Sequence, residues 1–154
     1  MKIFNNFNCK LPSNTAAIGF FDGMHIAHQA VIAKSTELGG GILTFKNHPK
    51  AELGENIPLL FSYKNRLSAF KKLGAKFVVA LDFNEVKNIT ALEFLTILKK
   101  NGIDIIISGE DARIGCDRQK ISEICKKSPI KHILVPIIYQ NGEKISSTNL
   151  RKIK

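Results

Sequence analysis

In the stretch GFFDGMHIAHQAVI (19–32), His25 and His28 stand three residues apart, just after the turn-forming pair Asp22-Gly23. Residues at that spacing are neighbours on a helix surface. The first turn of a helix presents unpaired N–H groups and the positive end of the helix dipole. Two imidazoles placed there can donate hydrogen bonds to a phosphate lying beside those amides. Two other readings stay open. The pair could ligate a metal, although Ile26-Ala27 fills the interval, without the glutamate of an HExxH motif, and no third ligand is evident. The two rings could also cap or pack locally.

The elements that must hold these residues alternate between strand and helix patterns. TAAIGFF (15–21), ILTF (42–45), KFVVALDF (76–83), IDIIISG (103–109) and HILVPII (132–138) are short apolar runs of strand length. MHIAHQAVIAKSTEL (24–38) has near-helical apolar spacing and ends at Gly39 to Gly41. FSYKNRLSAFKKLG (61–74) reads as a helix with Ser62 as N-cap and Gly74 as its stop. Thr90-Ala91-Leu92-Glu93 is a capping box opening a helix that runs to Gly102, and residues 117–127 predict a shorter one. Continuous apolar strands alternating with helices imply α/β architecture: a single Rossmann-like domain over 1–154. Its five-stranded, mostly parallel sheet carries helices on both faces.

In such sheets ligands sit beyond the carboxyl ends of the strands, where the strand order reverses. FDGMHIAH, KNHP, GEDARIG and ISSTNLR all follow strands and so fall on that one edge. This convergence makes the edge the candidate site.

Composition narrows the class. Lys+Arg 23 against Asp+Glu 13 gives a net charge of +10, which favours anionic partners such as nucleotides, nucleic acid or an acidic membrane surface. Much of the excess (Lys71, Lys72, Lys99, Lys100, Lys126, Lys127) sits on helical faces, where solubility alone explains it. The aromatic-interleaved basic stretch of a nucleic-acid binder is missing, so nucleic acid is not the expected partner. No apolar run approaches the ~20 residues of a membrane span, and residues 1–12 do not resemble a signal peptide. Cys9, Cys116 and Cys125 are odd in number and form no CxxC pair, which suggests neither a disulfide framework nor a zinc site. No protein metal site is expected, and a reducing cytoplasm is the expected compartment.

GFFDGMHIAHQAVI resembles the GxFDGxHxGHxxLI signature of the HxGH nucleotidyltransferases, in the form carried by bacterial FAD synthetases. LTFKNHP is similar to that family's TFxxHP, ISGEDARIG to its GEDFRFG stretch, and ISSTNLR to its ISSTxIR. The four motifs occur in the family's order over residues 15 to 151. Members usually carry a C-terminal riboflavin kinase domain. Only three residues follow Arg151, so that domain is expected to be absent from this chain.

The resemblance implies adenylyl transfer from ATP to FMN, giving FAD and pyrophosphate, with Mg²⁺ accompanying ATP. On the matching positions, His25 and His28 would be catalytic and hold the α- and β-phosphates. Gly19, Phe20, Phe21, Asp22 and Gly23 would let the backbone pass close to the nucleotide. Ser146, Ser147 and Thr148 would meet the outer phosphates, with Arg151 adding a fixed positive fork. Gly109 and Asp111 would line the adenosine side, and His48-Pro49 would lie near the FMN phosphate. Four departures bear on this. Ala27 replaces the family's glycine, and Lys46-Asn47 stands where members often have Asp-Pro. Ala112 and Ile114 replace two phenylalanines, removing aromatic surface where the flavin would be expected to pack. Two further readings therefore stand beside FAD synthesis: nucleotidyl transfer to another phosphorylated acceptor, or a degenerate nucleotide-binding module.

Overall fold

Strand alternation builds two cores at once. In FVVAL, Phe77, Val79 and Leu81 point into one apolar cluster, and Val78 and Ala80 into a second. The same division separates Ala16 from Ala17, Leu43 from Ile42, and Ile106 from Ile107. Each strand thus has an apolar face on both sides, and each face needs a helical layer.

A computed structural model describes residues 1–6, 10–22, 26–46, 62–136, 139–140 and 143–144. Strands β1 (Lys2–Phe4), β2 (Thr15–Ile18), β3 (Gly41–Phe45), β4 (Phe77–Leu81), β5 (Ile105–Gly109) and β8 (Lys131–Val135) form a six-stranded sheet in the order β1-β4-β3-β2-β5-β8. All of its pairings are parallel. The arms α1 (Ile26–Glu37) and α2 (Tyr63–Lys72) supply Val31, Ile32 and Phe70 to one core. On the other face, α4 (Ala91–Lys100) and the single turn α5 (Ile121–Ile124) supply Phe94, Leu95, Leu98 and Ile121. The short α3 (Phe83–Val86) follows β4.

The helix signals hold in detail. Ser62 accepts from the Asn65 N–H at 3.1 Å, and the Thr90–Glu93 capping box closes in both directions. The sheet differs from expectation in two places. It has six strands rather than five, because Lys2–Phe4 pairs with β4 at one edge. A three-residue strand is too short to show a period. The segment read as a helix over 117–127 begins instead with a hairpin, β6 (Arg113–Ile114) and β7 (Gln119–Lys120). The helix is only α5, followed by a 3-10 turn at Cys125–Lys127. Gly115, with φ at +82°, makes the hairpin bend, and Asp117 ties the hairpin to α4 by accepting from the Ala91 N–H at 2.9 Å. A further antiparallel pair joins β9 (Tyr139–Gln140) to β10 (Glu143–Lys144).

Candidate active site

From β2 the chain moves outward through β3 to β4, then returns to place β5 on the opposite side of β2. The order therefore reverses between the carboxyl ends of β2 and β5, where open α/β sheets bind ligands. The register pairs Ala17 with Ile107, so Gly19 and Gly109 lie two residues beyond that pair on adjacent strands. By alternation both belong to the face that α1 covers.

The two glycines do different work. A Cβ on Gly19 would come within 3.0 Å of the Phe21 ring, so glycine is needed to seat that ring. A Cβ on Gly109 would meet no atom of the described residues within 4 Å, so packing among them does not require a glycine there. In the α1-side core, Phe21 packs edge-on against His28 (5.6 Å between centroids) and Phe70 (5.9 Å). Phe21 is buried with φ at +60°, a left-handed conformation that costs a non-glycine residue strain. That strained turn delivers the chain to the start of α1, and His28 stands half-buried on the helix's first turn. An imidazole in that position can donate to an anion lying at the helix N-terminus.

Beneath the turn lies a cation that the sequence reading missed. Arg66 is 1% exposed. Its Nη1 donates to the Phe20 carbonyl (3.0 Å) and to Thr44 Oγ1 (3.1 Å), and its Nη2 to the carbonyls of Phe45 and Lys46 (both 2.9 Å). Thr44 Oγ1 in turn donates to the Phe20 carbonyl at 3.2 Å. The guanidinium also lies 3.9 Å from the Phe20 ring centroid, within cation–π range. Burial pushes the Arg66 pKa down to about 10, opposed by the nearby acidic groups of the buried Asp22 and of Tyr63, so the guanidinium is charged at neutral pH. One fork thus fixes the segment after β2 relative to the segment after β3. Its signal in the sequence was position: Arg66 stands four residues before Phe70, on the inner face of α2.

At the end of β5, the Gly109 carbonyl accepts from the Ala112 N–H (3.3 Å), closing a turn that carries the exposed Asp111. Of the expected site residues, the structure brings Gly19, Phe20, Phe21, Asp22 and His28 together behind the β2 end, with Gly109 and Asp111 at the neighbouring β5 end. Gly23, His25, His48, Pro49, Ser146, Ser147, Thr148 and Arg151 lie outside the described residues. Among the described residues, no group of three or more His, Cys, Asp or Glu side chains is placed to hold a metal ion.

Ile114 corrects one expectation. It is 9% exposed and belongs to the α4-side core with Ala91 and Ile121, with Ala112 packed against that cluster. It is therefore not a gap on an open flavin platform. Ile114→Phe should overpack this core and lower stability by about 1–3 kcal/mol. Chemical denaturation measures this, and a variant as stable as the parent would show that the hairpin yields freely.

Comparison with known proteins agrees with this architecture. The chain is 32% identical to a bifunctional riboflavin kinase/FMN adenylyltransferase of Buchnera aphidicola subsp. Schizaphis graminum, over 93% of this chain and 51% of that protein. A Listeria monocytogenes protein described as an FAD synthetase is 31% identical over 87% of this chain and 60% of its own length. The chain thus spans about half the length of the first of these and three-fifths of the second. Among solved structures, a Streptococcus pneumoniae protein described as a macrolide-efflux protein superposes with a TM-score of 0.83 at 25% identity, covering 98% of this chain and 56% of that one. Among the described residues, no helix here is long and apolar enough to cross a membrane. Pantothenate synthetase from Thermus thermophilus shares the fold (TM-score 0.64, 12% identity) over 97% of this chain and 67% of its own. The FAD synthetase family model matches residues 9–149, nearly the whole sequence, and the chain belongs to that family.

Proposed function

We propose that this chain transfers an adenylyl group from ATP to FMN, forming FAD and pyrophosphate. The observation that carries the reading is the reversal of strand order between β2 and β5, with Gly109 at the β5 end and His28 on the first turn of the helix that follows β2. In this reaction an FMN phosphate oxygen attacks the α-phosphorus of ATP, and the bond from that phosphorus to the bridging oxygen breaks as pyrophosphate leaves. The step needs in-line positioning and donors aimed at the transferring group more than covalent help.

The strained Phe21 turn and the Arg66 fork hold the backbone that approaches the nucleotide. His28 donates to the phosphates at the N-terminus of α1, and His25 is its partner in this reading. Ser146, Ser147, Thr148 and Arg151 take the outer phosphates, Asp111 and Gly109 the adenosine end, and His48-Pro49 the FMN phosphate. Mg²⁺ arrives with ATP and neutralises charge on the triphosphate. Such an ion is typically held by several waters, the substrate phosphates and one or two protein carboxylates rather than by a dedicated protein cage.

The purified chain with ATP, Mg²⁺ and FMN should therefore release pyrophosphate and form FAD, followed by flavin chromatography. One second reading is a different phosphorylated acceptor, kept open by Lys46-Asn47 standing where the family often has Asp-Pro. Pyrophosphate release with another acceptor and none with FMN would establish it. No release with any acceptor would leave a nucleotide-binding module.

A further inference from the structure

On the face of β5 opposite α1, Ser108 is fully buried where its neighbours are aliphatic. A buried hydroxyl is costly unless it is hydrogen-bonded. Ser108 Oγ has two partners: it donates to the Gly109 carbonyl at 3.1 Å and lies 2.7 Å from Nε2 of His132 on the edge strand β8. A hydroxyl has one proton, so with that proton on Gly109 the ring donates through Nε2–H. Burial lowers the His132 pKa, which favours the neutral ring this assignment needs. The β5–β8 ladder already pairs Ser108 with Leu134, so strand pairing does not require the side-chain link.

What the link fixes is the Gly109 peptide. Its carbonyl accepts from Ser108 on one side and from the Ala112 N–H on the other, which sets the turn that carries the exposed Asp111 at the carboxyl end of β5. An aspartate at this edge accepts from hydroxyl or amine donors and repels phosphate. We propose that Ser108 and His132 are positioning residues that hold the Gly109–Ala112 turn, and so set affinity for the adenosine end of the nucleotide rather than for its phosphates. This rests on the nucleotide reading above.

Titration calorimetry with two probes, ATP and inorganic tripolyphosphate, tests it on the whole chain. Ser108→Ala and His132→Leu should each weaken ATP binding about fivefold to tenfold, the value of one hydrogen bond, and leave tripolyphosphate binding unchanged. His132→Gln, which keeps an N–H donor, should stay within about twofold of the parent. A merely structural role would instead lower the melting temperature and weaken both probes together, without rescue by glutamine, and would overturn the proposal. Unchanged ATP binding in folded Ser108→Ala would overturn it too, even if His132→Leu failed to fold. If the unaltered chain binds tripolyphosphate but not ATP, or neither, the nucleotide reading itself falls and this inference with it.

Discussion

Arg66→Met should lower stability by about 3–5 kcal/mol and remove most nucleotide binding from whatever remains folded. The magnitude follows from what methionine leaves behind. The Phe45 and Lys46 carbonyls lose the guanidinium partner they share, while the Phe20 carbonyl keeps only Thr44 Oγ1. Each half-buried acceptor left without this donor costs up to about 1–3 kcal/mol, and the buried Asp22 also loses the nearby positive charge, a cost of similar order. Against a total stability of about 5–15 kcal/mol for a domain, this is a large fraction. Arg66→Lys keeps the charge but not the fork. A single ammonium cannot span the sites that Nη1 and Nη2 serve, so lysine should recover less than half of the loss. Urea unfolding and ATP titration of both variants check this. A methionine variant that unfolds at the parent's midpoint would show that the four bonds contribute nothing net, and full rescue by lysine would mean that charge rather than geometry matters.

That this residue escaped the sequence reading has a physical reason. YKNRLSAFKK carries four cations in ten residues, and a basic helix of this kind is usually a solvated face. Only the position of Arg66 relative to Phe70 distinguishes it from Lys64, Lys71 and Lys72, which are exposed. The capping box at Thr90 and the cap at Ser62 were legible because local hydrogen bonding alone decides them. The apolar strands were legible because both faces of the sheet are covered. The strand Lys2–Phe4 was not, since its place is set by pairing with distant β4. The hairpin at 113–120 was hidden for a similar reason: Asp117 and Gly115 are shaped by contact with the start of α4, not by their neighbours in sequence. In the site, motif spacing pointed to the residues at the strand ends, while the groups beneath them, Arg66, Thr44, Ser108 and His132, emerge only from the packed sheet.

His28→Ala should lower turnover by a factor of 10²–10³, roughly 3 kcal/mol, with a much smaller effect on ATP affinity. Loss of one donor to a group that gains charge in the transition state has this size and this signature. The structure adds a limit on the cost to folding. The ring packs edge-on against Phe21, an aromatic contact worth about 0.5–1.5 kcal/mol. Alanine should therefore lower the melting temperature slightly while the fold survives. Asparagine keeps a donor without a titrating ring and should restore part of the turnover but not the aromatic contact, which separates the two effects in one variant. The alternatives leave different traces. A metal-ligand histidine would release a tightly bound transition metal on substitution, with no rescue by asparagine. A packing histidine would give a lower melting temperature and near-normal turnover per folded molecule. Turnover, metal content and melting temperature, measured on the alanine and asparagine variants, decide among the three, and the position of His28 on the first turn of α1 is the reason to expect the phosphate donor.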